Sequence, residues 1–233
     1  MKRETLDRLL KARAAKAPLA LATDLKSGRQ ALLEGSVFMG ELSPSAEGQT
    51  AIRRALRDDR SGMVETPEGA LFVQVFNPPL RMTIVGAVHI AQALVPMAAL
   101  AGYDVTVVDP RRAFATDARF PNTHVTTEWP DDALQKIKPD RRTAVVTLTH
   151  DPKLDDPALH VALKSDAFYI AALGSRKTHA ARLKRLKEAG FDEQTLARIH
   201  GPAGLSIGAI SPAEIALSIM AQATAVLHAK DEG

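Results

Sequence analysis

Three short stretches of this chain carry the residue types from which a binding or reactive site can be built. The first is Gly86-Ala87-Val88-His89-Ile90-Ala91, with Asp109 standing 23 residues after Gly86. This is the layout of a dinucleotide fingerprint, Gly-x-Gly-x-x-Gly/Ala. In it the glycines permit a tight turn and close approach of backbone to a pyrophosphate, and an acid about 20 residues on holds the ribose. Gly86 suits the turn, and Ala91 suits close packing of helix on strand. Val88 takes the place of the second glycine. A β-branched side chain there stands in the space the phosphates would use, so NAD(P) is not the expected ligand. Asp109 reads either as a ligand residue or as an acid that ends a strand, and Arg111 and Arg112 read first as solvated turn charges. His89, at the helix entrance, faces the same cleft.

The second stretch is Thr149-His150-Asp151, a hydroxyl, an imidazole and a carboxylate directly after a buried apolar run. Such groups suit proton transfer or the binding of a polar ligand; the competing reading is a helix cap at Asp151-Pro152. The third is Leu173-Gly174-Ser175-Arg176-Lys177-Thr178. A glycine, a hydroxyl and two cations at a helix start form a sensible anion site, because the first backbone N–H groups of a helix lack internal partners. The competing reading is an ordinary cap by Ser175. A run of cations follows (Arg182, Lys184, Arg185, Lys187), which reads as a solvated face or as a surface for an acidic partner. The seven histidines show no HExxH spacing and there are no cysteines, so a structural metal site is not expected. His179, His200 and His228 read as surface residues.

These loops must be positioned by an α/β scaffold. From residue 81 the pattern alternates strands and helices: strands at 82–85, 104–108, 124–126, 143–148 and 168–172, and helices at 88–101, 157–164, 176–189, 193–199 and 211–228. That alternation predicts a Rossmann-like, mainly parallel sheet, whose ligands bind outside the carboxyl ends of the strands. The last helix opens on a capping box, Ser211 with Glu214, and its Ile215, Ile219, Met220 and Val226 can pack within the domain or across a homodimer. Residues 1–80 read as a small α+β domain, with helices at 5–16 and 50–58 and strands at 19–23, 31–39 and 69–76. Leu6, Leu9, Leu10 and Ala14 form the apolar side of the first helix. Asn77-Pro78-Pro79 is the linker.

Composition narrows the classes. With 233 residues, 45% of them hydrophobic, the chain can bury a sizeable core. A net charge of +3 and only 4% aromatic residues do not fit a nucleic-acid binder, which concentrates charge and stacking platforms. The start of the sequence lacks the apolar core of a secretory signal, and no stretch approaches the roughly 18 apolar residues of a membrane span. The expected location is the cytoplasm.

Taken together, GAVHIAQAL, VTVVDPR, TLTHD, YIAALGSRKTHAARLKRL and GPAGLSIGAISPAEIALSI resemble the xanthine dehydrogenase accessory factor family, XdhC/CoxI, over roughly residues 82–221. The resemblance implies a non-catalytic accessory factor: a chaperone that binds molybdenum cofactor, supports its sulfuration by a cysteine desulfurase, and passes it to an apo-enzyme such as xanthine dehydrogenase or carbon monoxide dehydrogenase. Two places depart from the family pattern. GxGH reads Gly86-Ala87-Val88-His89, and a GGGCVE-like block in the N-terminal domain reads Leu33-Glu34-Gly35-Ser36-Val37-Phe38, without cysteine. A relay of sulfur through a thiol of this chain is therefore excluded. The competing readings are a nicotinamide-dependent oxidoreductase using Gly86, Ala91 and Asp109, and a protein-docking module with a degenerate nucleotide cleft.

Overall fold

The computed structural model describes residues 2–67 and 69–229, and the chain divides into two compact units, Met1–Pro78 and Pro79–Gly233. The N-terminal unit runs α1 (Arg3–Ala14), β1 (Leu19–Asp24), β2 (Gln30–Glu34), β3 (Val37–Gly40), α2 (Ala46–Arg57), β4 (Gly62–Thr66) and β5 (Gly69–Phe76). Its strands form an antiparallel sheet in the order β3-β2-β1-β5-β4. Alternation along β1 serves two cores. Ala20 and Ala22 pack with Ile52, Ala55 and Leu56 of α2, while Leu19 and Leu21 pack with Leu9 and Ala12 of α1. The apolar stripe of α1 is thus Leu9 and Ala12, and Leu6 and Leu10 remain exposed, contrary to the broader face expected from their spacing.

Two other expectations for this unit are corrected. Residues 31–39 form a hairpin, not one strand, because Gly35 (φ +58°) turns the chain back between Glu34 and Val37. The 33–38 block spans this turn. The second helix starts at Ala46, not at residue 50, because the Ser45 hydroxyl accepts the Gly48 N–H at 3.1 Å and so caps it. Strand β4, which pairs with β5, has no counterpart in the sequence pattern.

The C-terminal unit runs β6 (Leu80–Val85), α3 (His89–Leu100), β7 (Tyr103–Val108), β8 (His124–Thr126), α4 (Pro130–Ile137), β9 (Thr143–Thr147), α5 (Pro152–Leu163), β10 (Tyr169–Ala172), α6 (Arg176–Glu188), α7 (Glu193–Leu196), β11 (Ile199–His200) and α8 (Pro212–Leu227). Its six strands are all parallel, in the order β11-β10-β9-β6-β7-β8. Counted from its own first strand this is the 3-2-1-4-5-6 order of a Rossmann sheet, with the reversal between β6 and β9. Helices cover both faces. On one, α3 and α8 bury Leu94, Ala98, Ile219 and Met220 against Ile84, Val107 and Val146. On the other, α4, α5 and α6 bury Leu134, Leu159 and Leu186 against Val85, Val145 and Ile170. Near-continuous apolar strands such as Thr143–Thr147, buried throughout, are what a sheet covered on both sides requires. Ile215, Ile219, Met220 and Val226 of α8 all pack within this unit.

Helix α5 begins five residues earlier than the pattern suggests. Pro152 occupies its first turn, where a missing N–H is harmless, and the Asp151 carboxylate accepts the Lys153 N–H at 2.9 Å. Pro157 lies inside the helix instead of starting it. Helix α4, also absent from the sequence reading, opens on Pro130 with Asp131 and Asp132 in its first turn.

Candidate functional site

The carboxyl ends of β6, β7, β9 and β10 bring the three chemical stretches to one edge of the sheet. The loop after β6 is built for close approach. Gly86 (φ +113°) donates its N–H to Val108 O at 2.8 Å, and an added Cβ would stand 2.7 Å from the Thr149 methyl and 3.4 Å from Thr149 N. What presses on Gly86 is therefore the loop after β9. Asp109, 0% exposed, accepts from Ala87 N–H at 2.8 Å, from Arg111 N–H and Nε at 2.9 Å, and from Arg111 Nη2 at 2.7 Å. Burial pushes its carboxyl up, but the hydrogen bonds from Arg111 and Ala87 outweigh this and hold it below the usual carboxylate range. Its oxygens thus serve the chain's own loop. Arg119 completes the enclosure, donating to Ala87 O at 2.8 Å, Phe114 O at 2.9 Å and Gln92 Oε1 at 3.0 Å.

Val88, the N-cap of α3, is half-buried and packs against the core shared by α3 and α8. His89 is exposed and Ala91 fully buried beneath the helix. Arg111 is not a free turn charge. Its hydrogen bonds to Asp109 raise its pKa, and the charges of Asp151 and Asp155 raise it further, a sign that the loops after β7 and β9 converge.

The loops after β9 and β10 lie side by side at the carboxyl end of the sheet, and the space between them is the second candidate crevice. Asp155, 1% exposed, accepts from Thr149 Oγ1 at 2.6 Å, Thr149 N–H at 3.4 Å and His150 N–H at 3.1 Å. Thr149 Oγ1 in turn accepts from Asp151 N–H at 3.1 Å. These bonds hold His150 at φ +62°, a left-handed conformation uncommon outside glycine. The imidazole is exposed and lies beside Gly174 (φ +139°), where a Cβ would be 3.5 Å from His150 Nδ1 and 3.1 Å from Thr178 Cβ. Ser175 caps α6, its hydroxyl accepting Thr178 N–H at 3.1 Å, and Arg176 and Lys177 are exposed on the first turn. Asp151 is exposed and caps α5, so the cap reading describes its contacts in this structure.

Beneath the crevice lies Arg182, 1% exposed. It reaches back along α6 to donate from Nη2 to Leu173 O at 2.8 Å and stands 3.5 Å from Asp155 Oδ2. Its Nε and Nη1 are buried and, among the described residues, unpartnered. Burial is the leading influence on both partners, pushing the Asp155 carboxyl up and the guanidinium down. The arginine nonetheless stays charged. From sequence Arg182 reads as part of a solvated cation run, which its burial corrects, and Asp155 falls before the helix expected at 157–164. The available signal is that Asp155 lies four residues after Asp151, on the helix face turned to the sheet. The remaining cations of α6 are largely engaged: Arg185 grips Asp156 at 2.6 and 3.0 Å, and Lys187 pairs with Glu193 at 2.8 Å. His179 and His200 are half-buried rather than on the surface, and burial lowers both pKa values, with the charge of Arg182 adding to the effect at His179. Among the described residues no group of three acidic or histidine side chains is placed to hold a metal ion, and no helix is long and apolar enough to cross a membrane.

Fold and loops together define a Rossmann-type domain in which Asp109 is hydrogen-bonded within the loop after β6 and polar and cationic groups gather on the loops after β9 and β10. Residues 82–223 match the XdhC Rossmann domain, and the chain belongs to that family. It is 32% identical over 158 residues to the molybdenum cofactor insertion chaperone PaoD of Escherichia coli, a match covering 67% of this chain and 43% of that protein. It is 31% identical over 153 residues to a probable xanthine dehydrogenase component of Bacillus subtilis, covering 65% and 44%. The chain thus spans less than half the length of these curated relatives. A crystal structure described as a xanthine dehydrogenase from Bacillus halodurans superposes with a TM-score of 0.73 at 26% identity, covering 99% of this chain and 66% of that one.

Proposed function

We propose that this chain is a maturation chaperone that binds molybdenum cofactor and supports its sulfuration and insertion into a molybdenum hydroxylase of the xanthine dehydrogenase or carbon monoxide dehydrogenase type. The observation that carries this reading is the crevice between β9 and β10. It sets an imidazole (His150) beside the glycine that opens a well-capped helix, with Arg176 and Lys177 on that helix's first turn. Backbone N–H groups of Gly174 to Lys177 and the two cations suit the phosphate of the cofactor, and His150 and Thr149 offer polar contacts to its pterin. The residues fit the group, which when bound supplies the molybdenum centre a client enzyme needs. The names of the relatives point the same way. Since the sequence contains no cysteine, the sulfur comes from a partner, and a cysteine desulfurase is the partner of that chemistry. The second partner is the apo-enzyme.

Against a nicotinamide-dependent oxidoreductase stand the contacts of the first crevice. Thr149 bears on Gly86 from the loop after β9, and the Asp109 carboxylate is already hydrogen-bonded to Ala87 and Arg111. The test is to purify the full chain from a molybdenum-replete host, oxidise it and measure pterin fluorescence. Bound pterin is expected in the wild type and sharply reduced in Arg176→Ala/Lys177→Ala, since charge-assisted contacts to a phosphate contribute roughly 1.5–3 kcal/mol each. A folded wild type that carries no pterin and takes up none when offered it would leave only the docking-module reading.

A further inference from the structure

His150 is the one residue of the crevice whose backbone is held in an unfavourable conformation, and the groups that hold it belong to a buried ion pair. The left-handed geometry at a non-glycine residue persists only where its surroundings over-determine it. Here they are the Asp155 carboxylate, which takes the His150 N–H and both donors of Thr149, and Arg182, which faces that carboxylate at 3.5 Å while bonding Leu173 O on the opposite loop. Stability alone does not account for this arrangement. Buried ion pairs are commonly no better than apolar side chains of similar size, and two nitrogens of Arg182 lack partners among the described residues. What the pair does achieve is a bridge between the two walls of the crevice, 149–155 and 173–174.

We propose that Asp155 and Arg182 are positioning residues of the ligand crevice: together they clamp the loops after β9 and β10 and fix His150 in the conformation that carries its imidazole over Gly174. This rests on the reading of the crevice as the cofactor site, but its test is separable from that reading. In the full chain with labelled histidine, the nuclear Overhauser contact between the His150 ring and Gly174 is measured, and inorganic phosphate is titrated while the amides of 174–178 are followed. Asp155→Asn is the direct variant. Asp155→Leu/Arg182→Met removes the pair while leaving an apolar filling, so it keeps a folded protein in hand. In both, the ring contact to Gly174 is expected to disappear and phosphate affinity to fall about tenfold as the 173–174 loop, no longer tied through Arg182 to 149–155, loses its register, with the melt of the double variant near native. Retention of the ring contact would overturn the proposal, whatever phosphate does. If wild-type phosphate leaves 174–178 unmoved, the cofactor-site reading fails at this loop, while the ring contact still decides the role of the pair.

Discussion

A methyl group on Gly86 would meet the methyl of Thr149 at 2.7 Å, on a backbone at φ +113° that side chains rarely adopt. Gly86→Ala is therefore expected to destabilise the chain by about 1–3 kcal/mol, and Thr149→Ser in the same chain should recover part of it by removing the clashing methyl. Urea denaturation of the two single variants and the double measures the coupling, and strictly additive losses would show that the two loops do not touch as described. Asp109 gives a pH-dependent counterpart. Its folded pKa is depressed, so the stability it contributes is complete above the ordinary carboxylate pKa of about 3.9 and is lost as pH falls through the folded value. Asp109→Asn should melt below the wild type by a constant margin at neutral pH, and the margin should shrink below about pH 4. A gap that widens on acidification would contradict this sign. At this scale the sequence is partly readable. Gly86, His150 and Gly174 announce themselves by type and place, but the identity of what each touches depends on non-local packing. Asp109 has the spacing of a ribose ligand, while its hydrogen bonds to Ala87 N–H and Arg111 depend on packing that spacing does not reveal.

Elements are most legible where their pattern is long or their punctuation strong. The capping box of Ser211 and Glu214 places the start of α8, and its cross-bonds are both present. The strands β6, β7 and β9 stand out by their β-branched runs, and β10 as a short apolar run. Boundaries fail where a proline can be read two ways: Pro157 suggests a helix start, although Pro152 after Asp151 provides the better cap and first turn. The consequence is testable. Asp151→Ala should lower stability by roughly 0.5–2 kcal/mol through loss of the cap, and leave phosphate-induced shifts at 174–178 unchanged. A near-native melt with altered shifts would move Asp151 from helix cap to ligand contact. The short amphipathic helix α4 escapes notice because its eight residues carry few apolar repeats, and β4 because a strand half-buried on an edge offers little contrast.

For the molecule as a whole, each unit has its own buried clusters: two in the C-terminal unit, on opposite faces of its sheet, and two smaller ones in the N-terminal unit. Residues 79–233 expressed alone are expected to unfold in a single cooperative transition. Trp129, the sole tryptophan, lies in that unit, so its fluorescence reports on it alone, and the fluorescence and circular dichroism midpoints of the fragment should coincide. Non-coincident or gradual melts would show that this core does not stand by itself.

The interlock at the first crevice also couples the residues that make it. The loop after β6 is fastened from three sides: Thr149 bears on Gly86, Asp109 holds the Ala87 N–H and Arg111, and Arg119 takes the Ala87 carbonyl. Removing Asp109 or Arg119 alone strips a partner from a buried or half-buried polar group. Single substitutions at Asp109 or Arg119 are therefore expected to step downhill in stability, so that these residues change together or not at all. Variation is left to act on the neighbouring crevice, where Arg176 and Lys177 are exposed and can be exchanged without unpicking the fold.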